Sequence, residues 1–387
     1  MGESAADIVV FLLVVAARLL LPLAIFRYPL PAIIACLVLD AVDQTIFQVF
    51  TTLNLDGYQP YDKALDVFYL SIAYIATLRN WTSLFAFQAS RFLFYYRLVG
   101  VLAFNITEIR WLLFMFPNTF EYFFIFYELV RTRWNPVRLS RKAWIIAVAA
   151  IWIVIKLPQE WWIHIAKLDM TDFIKMHIFG AELIDSWGQA FAMRPWVFAV
   201  AAAVVGLIVL LLWWLIAKKL PAADWKWRFR ADPLPPESTD LKERLAVKAI
   251  GRVFNRRLLE KVVLVAFLSV IFAQTLPGIQ STNLQLAVGV GILVVINAFV
   301  SHWLAARDKG WASAGREFLA MTVINMGVVL LLGSVLGWAG GSLNWGNTIF
   351  FVMMLTLLVT LYDRYRYVFG LRFPFEGVAK GESVHGA

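Results

Sequence analysis

The sequence predicts an all-α, polytopic integral membrane helix bundle of about eleven transmembrane helices, with the N-terminus outside and the C-terminus in the cytoplasm. Three observations carry that prediction. Of 387 residues, 61% are hydrophobic and 16% are charged, against roughly a quarter charged in an ordinary soluble domain. The apolar residues gather in runs of about 20, the length that crosses a bilayer core at 1.5 Å per residue. Lys and Arg collect in every second connection between those runs, as cytoplasmic loops do.

The net charge is +9, yet the basic residues lie in short loops and form no single face, which argues against nucleic acid as a partner. The single cysteine, Cys36, sits in an apolar run. It allows no internal disulfide and reads as a small hydrophobe between helices.

In chain order, the opening stretch MGESAADIVVFLLVVAARLLLP lacks a basic leader, and Arg18 interrupts its apolar part. It reads as a first membrane helix and not as a signal peptide. Spans follow at 8–26, 30–50, 64–78, 81–104, 111–130, 143–157, 196–217, 261–279, 284–304, 318–338 and 348–362. The third and sixth are short and could extend into their flanks. Pro117 should kink the fifth and free a carbonyl.

Arg27, Arg79, the run from Arg131 to Lys142, the 218–257 segment, Arg307 with Lys309, and Arg364, Arg366 and Arg372 occupy alternate connections. The opposite side holds Asp56, Asp62, Glu108, Asp169, Asp172, Glu182 and Asp185. Because cations resist translocation against the membrane potential, the basic set is cytoplasmic, and a plasma (inner) membrane location is expected. The chain then divides into an N-terminal bundle over 1–142, a sixth helix with an external segment over 143–195, and a C-terminal bundle over 196–387 that includes a cytoplasmic loop at 218–258.

That loop opens on the irregular stretch DPLPPEST. Over 245–258 it becomes amphipathic, with Val247, Ile250, Val253 and Phe254 opposite Arg244, Lys248, Arg252 and Arg256. Such a helix suits the anionic inner leaflet, and membrane lipids are the expected partner there. A protein docking on this loop is the alternative. The external 158–195 segment is rich in Trp and Phe and should lie across the outer surface. Its His164 and His177 are too far apart to share one zinc-binding helix face, so no metal site and no cofactor are assigned.

The chemistry is expected in the first five spans. Arg18, Asp40, Arg91 and Glu121 each fall about ten residues, or about 15 Å, from one end of a predicted helix, which places them near mid-bilayer. Burying four charges there costs on the order of 10 kcal/mol unless they pair or line water. Asp43 shares a helix face with Asp40, and Glu128 shares one with Glu121, so both extend the stripe as relay carboxylates toward either side. The aromatic surroundings, FAFQASRFLFYYR and FMFPNTFEYFFIFYE, would wall a cavity. The C-terminal spans hold amides instead (Gln274, Asn297 and Asn325) and a ridge of Gly333, Gly337 and Gly341 suited to close helix contact. Asn297 and Asn325 should hydrogen-bond across adjacent helices.

No phosphate-binding glycine loop, Glu-x-x-His motif or nucleophile elbow occurs. The leading expectation is a multi-pass transporter or permease whose binding residues are Arg18, Asp40, Asp43, Arg91, Glu121 and Glu128. The alternatives are a membrane-embedded enzyme acting on a lipid or polyprenyl-linked substrate, and a non-catalytic scaffold or assembly protein.

Overall fold

The computed structural model describes residues 5–51, 58–166, 173–182, 185, 187–217, 220–236, 256–275, 283–307, 313–335 and 345–373. The amphipathic stretch expected at 245–258 lies outside the described residues up to 255, as do Asp56, Asp169, Asp172, Gly337 and Gly341. The described elements are all helices, and no strand occurs among the described residues.

α1 (Ala5–Leu20) passes into a 3-10 turn, Leu21–Phe26, where Pro22 ends the regular hydrogen bonding. α2 (Pro29–Phe50) starts on a proline whose missing N–H costs nothing in a first turn. α3 (Tyr58–Asn80) begins well before residue 64, so the helix expected as the third span extends into its N-terminal flank. α4 (Leu84–Thr107) is capped by Ser83, whose hydroxyl accepts from the Ala86 N–H, and it ends at Glu108 in the left-handed region, φ 57°.

The stretch expected as a fifth span is two pieces, α5 (Trp111–Met115) and α6 (Thr119–Arg131), and Pro117 breaks the helix outright where a kink is expected. The carbonyls freed there are met from α4: Tyr96 Oη donates to Met115 O at 2.8 Å and Arg97 Nη1 to Phe116 O at 3.0 Å. The sixth span also outruns its expected end. α7 (Arg141–Ile165) continues through two π-helical stretches, Ile151–Lys156 and Trp161–Ile165, and so brings Lys156, Glu160 and His164 into the helix.

Beyond it lie α8 (the π-helical turn Ile174–Phe179), α9 (Trp187–Met193), α10 (Trp196–Ala217), α11 (Arg256–Thr275), α12 (Asn283–Ala305), α13 (Ala314–Val335) and α14 (Trp345–Arg372).

Four stretches, Ala5–Phe26, Arg141–Ile165, Ala287–Ala305 and Thr348–Arg372, are long and apolar enough to cross a membrane, and the bent pair Trp187–Met193 with Trp196–Ile208 makes a fifth if it is one span. Large apolar side chains stand exposed along α1 (Leu12, Leu13), α7 (Ile153, Val154) and α10 (Leu207, Leu210). Such surface suits lipid and not water.

α3 is the central column. From Val67 to Leu78 almost every side chain is buried, and one apolar core joins it to α4 and α6 and to Leu264, Leu268, Leu355 and Leu358 of α11 and α14. At one end of α3 Trp81 stacks on Tyr127, with centroids 3.8 Å apart, and Tyr127 on Trp144 at 5.4 Å. In the C-terminal half the expected amide pair is not made. Asn325 Nδ2 donates to Thr356 Oγ1 at 2.8 Å, and the buried Asn297 amide finds no partner among the described residues.

Candidate functional site

α1, α2 and α3 meet around Arg18. Asp40 and Asp43 stand a turn apart on α2, and Asp62 and Asp66 a turn apart on α3, so each pair presents two carboxylates on one helix face. Arg18 receives all four. Its Nη1 donates to Asp43 and Asp62, and its Nη2 to Asp40 and Asp66. A guanidinium has five N–H groups in a fixed plane, which is why one arginine can serve several carboxylates.

The cage has a closed base and an open rim. The Arg18 and Asp43 side chains are each 3% exposed, whereas Asp40, Asp62 and Asp66 are 29%, 37% and 38% exposed. One oxygen from each rim carboxylate lies within 4.8 Å of the other two, a spacing that a divalent cation could bridge. Cys36, one turn before Asp40, is buried.

Glu121 adjoins this cage but does not belong to it. It accepts from Tyr69 Oη, one turn along α3 from Asp66, and from Asn118 Nδ2 at 2.9 Å. The Asn118 N–H in turn donates to Glu160 of α7 at 3.1 Å, and Glu160 also holds His164 Nε2 at 3.0 Å. Lys156 lies 3.8 Å from the same carboxylate and 4.4 Å above the Tyr122 ring. A polar chain thus leads away from the cage through Tyr69, Glu121, Asn118 and Glu160.

The other expected residues lie elsewhere. Glu128 is fully buried, accepting from Trp81 Nε1 at 2.9 Å and from Arg131 Nε at 2.6 Å, which ties α6 to the end of α3. Arg91 lies 5.6 Å over the Phe87 ring and forms no ion pair among the described residues. The expected meeting of Arg18, Asp40, Arg91 and Glu121 at one level is therefore replaced by Arg18 with four aspartates. Glu121 is misplaced because the helix restarts at Thr119 after the break, and Asp62 and Asp66 enter because α3 begins early.

Asp62 and Asp66 are the residues that sequence reasoning missed, Asp62 having been placed in an external loop. A signal existed. Two acidic residues four apart at a helix start match the pair three apart on the preceding helix, and Arg18 needed partners.

A further junction joins the two halves of the chain. Tyr74 Oη donates to Glu260 at 2.9 Å, Arg366 lies 3.9 Å from the same carboxylate, and Lys261 Nζ lies 2.9 Å from Asp363. Glu260, Lys261, Asp363 and Arg366 sit at the expected ends of spans, where they look like loop charges.

The fold and site define an all-helical protein, with helices long and apolar enough to span a membrane, built around a buried arginine shared by four aspartates. No known protein family, curated protein or solved structure matches the chain.

Proposed function

We propose that this protein is a cation- or proton-coupled membrane carrier with its coupling site at Arg18, Asp40, Asp43, Asp62 and Asp66. In this reading the chain crosses the bilayer about eleven times, with the N-terminus outside and the C-terminus cytoplasmic. The observation that carries the proposal is the charge imbalance of the cage. One guanidinium faces four carboxylates, three of them on an open rim. Uncompensated charge is too costly to hold against lipid, so the rim must face water and take up protons or a cation. A site that fills and empties while its base stays paired is what coupling requires. Glu121 and Glu160 supply a polar route from the cage along α7.

The test is uptake by proteoliposomes carrying a pH-sensitive dye, challenged with a panel of small solutes under imposed proton and sodium gradients. Gradient-dependent movement of at least one solute is expected. Its absence across the panel, in vesicles holding folded protein, would remove the carrier.

The cation-bridging spacing of Asp40, Asp62 and Asp66 supports a second reading, a metal-dependent membrane enzyme acting on a lipid-linked substrate. Turnover of such a substrate that needs added magnesium or manganese, with no solute movement, would decide for it.

A further inference from the structure

The end of α3 away from the aspartate cage carries a site of opposite sign. Asp66 and Arg79 are separated by about 20 Å along the helix at 1.5 Å per residue. Around Arg79 lies a cavity of about 640 Å³ into which Arg27, Arg228, Arg230 and Arg364 also converge. That volume falls within the usual range for a small-ligand pocket, about 300–1,000 Å³. Asp232 is the single carboxylate in its wall, and it is already paired with Arg228. None of Arg27, Arg79, Arg230 and Arg364 has an ion pair among the described residues. Arg364 Nη1 is buried with no hydrogen-bond partner there.

The cavity is built and not incidental. The segment 220–236 crosses this end of the bundle as a strap pinned by its backbone. Ala231 N–H donates to Arg27 O at 2.8 Å, Arg228 N–H to Thr132 O at 3.1 Å and Asp224 N–H to Arg133 O at 3.0 Å. Arg131 Nη1 donates to Arg230 O at 3.2 Å, and Trp225 Nε1 to Arg131 O at 3.0 Å. The strap therefore presents Arg228 and Arg230 to the arginines of the helices. One wall is apolar: Phe26 stacks on Tyr365 with centroids 4.6 Å apart, and Pro233 and Leu234 line the same space.

Five guanidiniums around one carboxylate, which Arg228 already holds, repel one another, and an anion relieves that repulsion. Phosphate suits them best, since its oxygens accept paired N–H donors from several arginines at once. We propose that this cavity binds a phosphate group, with the apolar wall placed to take the glycerol and first acyl carbons of a phospholipid. A phosphorylated solute offers the same headgroup chemistry, so the source is left to the test.

Binding to the purified full-length protein in neutral detergent would be measured by thermophoresis with three probes: dihexanoyl phosphatidic acid, glycerol 1-phosphate and dihexanoyl phosphatidylcholine. The phosphatidic acid is expected to bind and the phosphatidylcholine not to. Arg79→Gln with Arg364→Gln should weaken the phosphatidic acid by about tenfold or more, the loss of charge-assisted hydrogen bonds. Arg307→Gln with Arg316→Gln, which removes the same charge elsewhere, should leave it unchanged. Glycerol 1-phosphate binding as tightly as the lipid would assign a soluble phosphate ester, and much weaker binding a lipid headgroup. Should the cavity double variant fail to fold, the exposed Arg230→Gln provides the comparison. Equal losses in cavity and control variants, or no preference over phosphatidylcholine, would overturn the site.

Discussion

At the scale of single residues, Arg18 and Asp43 differ from the rim aspartates in what their removal leaves behind. Arg18→Gln strands four carboxylates around a buried amide, and loss of one partner from a buried charge network costs about 3–5 kcal/mol. Asp43 is 3% exposed and Asp62 is 37% exposed, so Asp43→Ala should lower the melting temperature in detergent clearly more than Asp62→Ala does. Arg18→Gln should lower it most. Equal melting temperatures for the three variants would mean that the cage does not hold α1 to α2 and α3. Sharing also changes what Asp40 does. Were Asp40 the sole partner of Arg18, its neutralisation would strand the arginine, whereas three aspartates remain to hold it. Arg18, Asp40 and Asp43 were legible in the sequence because a charge deep in an apolar run has no cheap alternative to pairing. Asp62 and Asp66 were not, because an acidic residue near a predicted helix start reads as loop. Glu121 was found with the wrong partner, since a tyrosine hydroxyl and an amide satisfy a carboxylate without any charge pattern to betray them.

At the scale of elements, the break between α5 and α6 depends on a close approach by α4. A Cβ added at Gly100 would lie 2.1 Å from Phe116 Cβ and 2.7 Å from its Cγ. Neither atom is the free end of a flexible chain, so the backbone of the break would have to move. Gly100→Ala should therefore cost about 1–3 kcal/mol, as overpacking does, and it should loosen the bonds from Tyr96 and Arg97 to the freed carbonyls. A differential scanning measurement with an unchanged midpoint would show that the two segments are not in contact. Helix identity was legible here from composition and from Pro117, and the helix ends were not. α3 starts early because 58–63 joins it in the same helical register, and α7 runs on through Pro158 because π-helical turns absorb the misfit.

At the scale of the whole molecule, the alternation of basic and non-basic connections makes a separate claim about orientation. A reporter fused after residue 387 should read as cytoplasmic, and one inserted after residue 280 as external. Finding the two in the same compartment would remove that topology. The shared core of α3, α4, α11 and α14 was not legible, because the apolar faces of membrane helices carry no address for their partners. Nor was the arrangement of one acidic and one arginine-lined site toward opposite ends of α3, which needs the strap at 220–236 in place.

The central claim, that the rim carboxylates couple solute movement to an ion, is tested most directly by gradient-driven uptake in proteoliposomes of Asp66→Asn against the unaltered protein. Arg18 keeps three carboxylates in this variant, so insertion, monodispersity and melting temperature should stay close to those of the unaltered protein. Gradient-driven uptake should fall to background. Full coupled uptake by a folded Asp66→Asn protein, and likewise by Asp40→Asn, would make the cage a structural clamp and contradict the carrier.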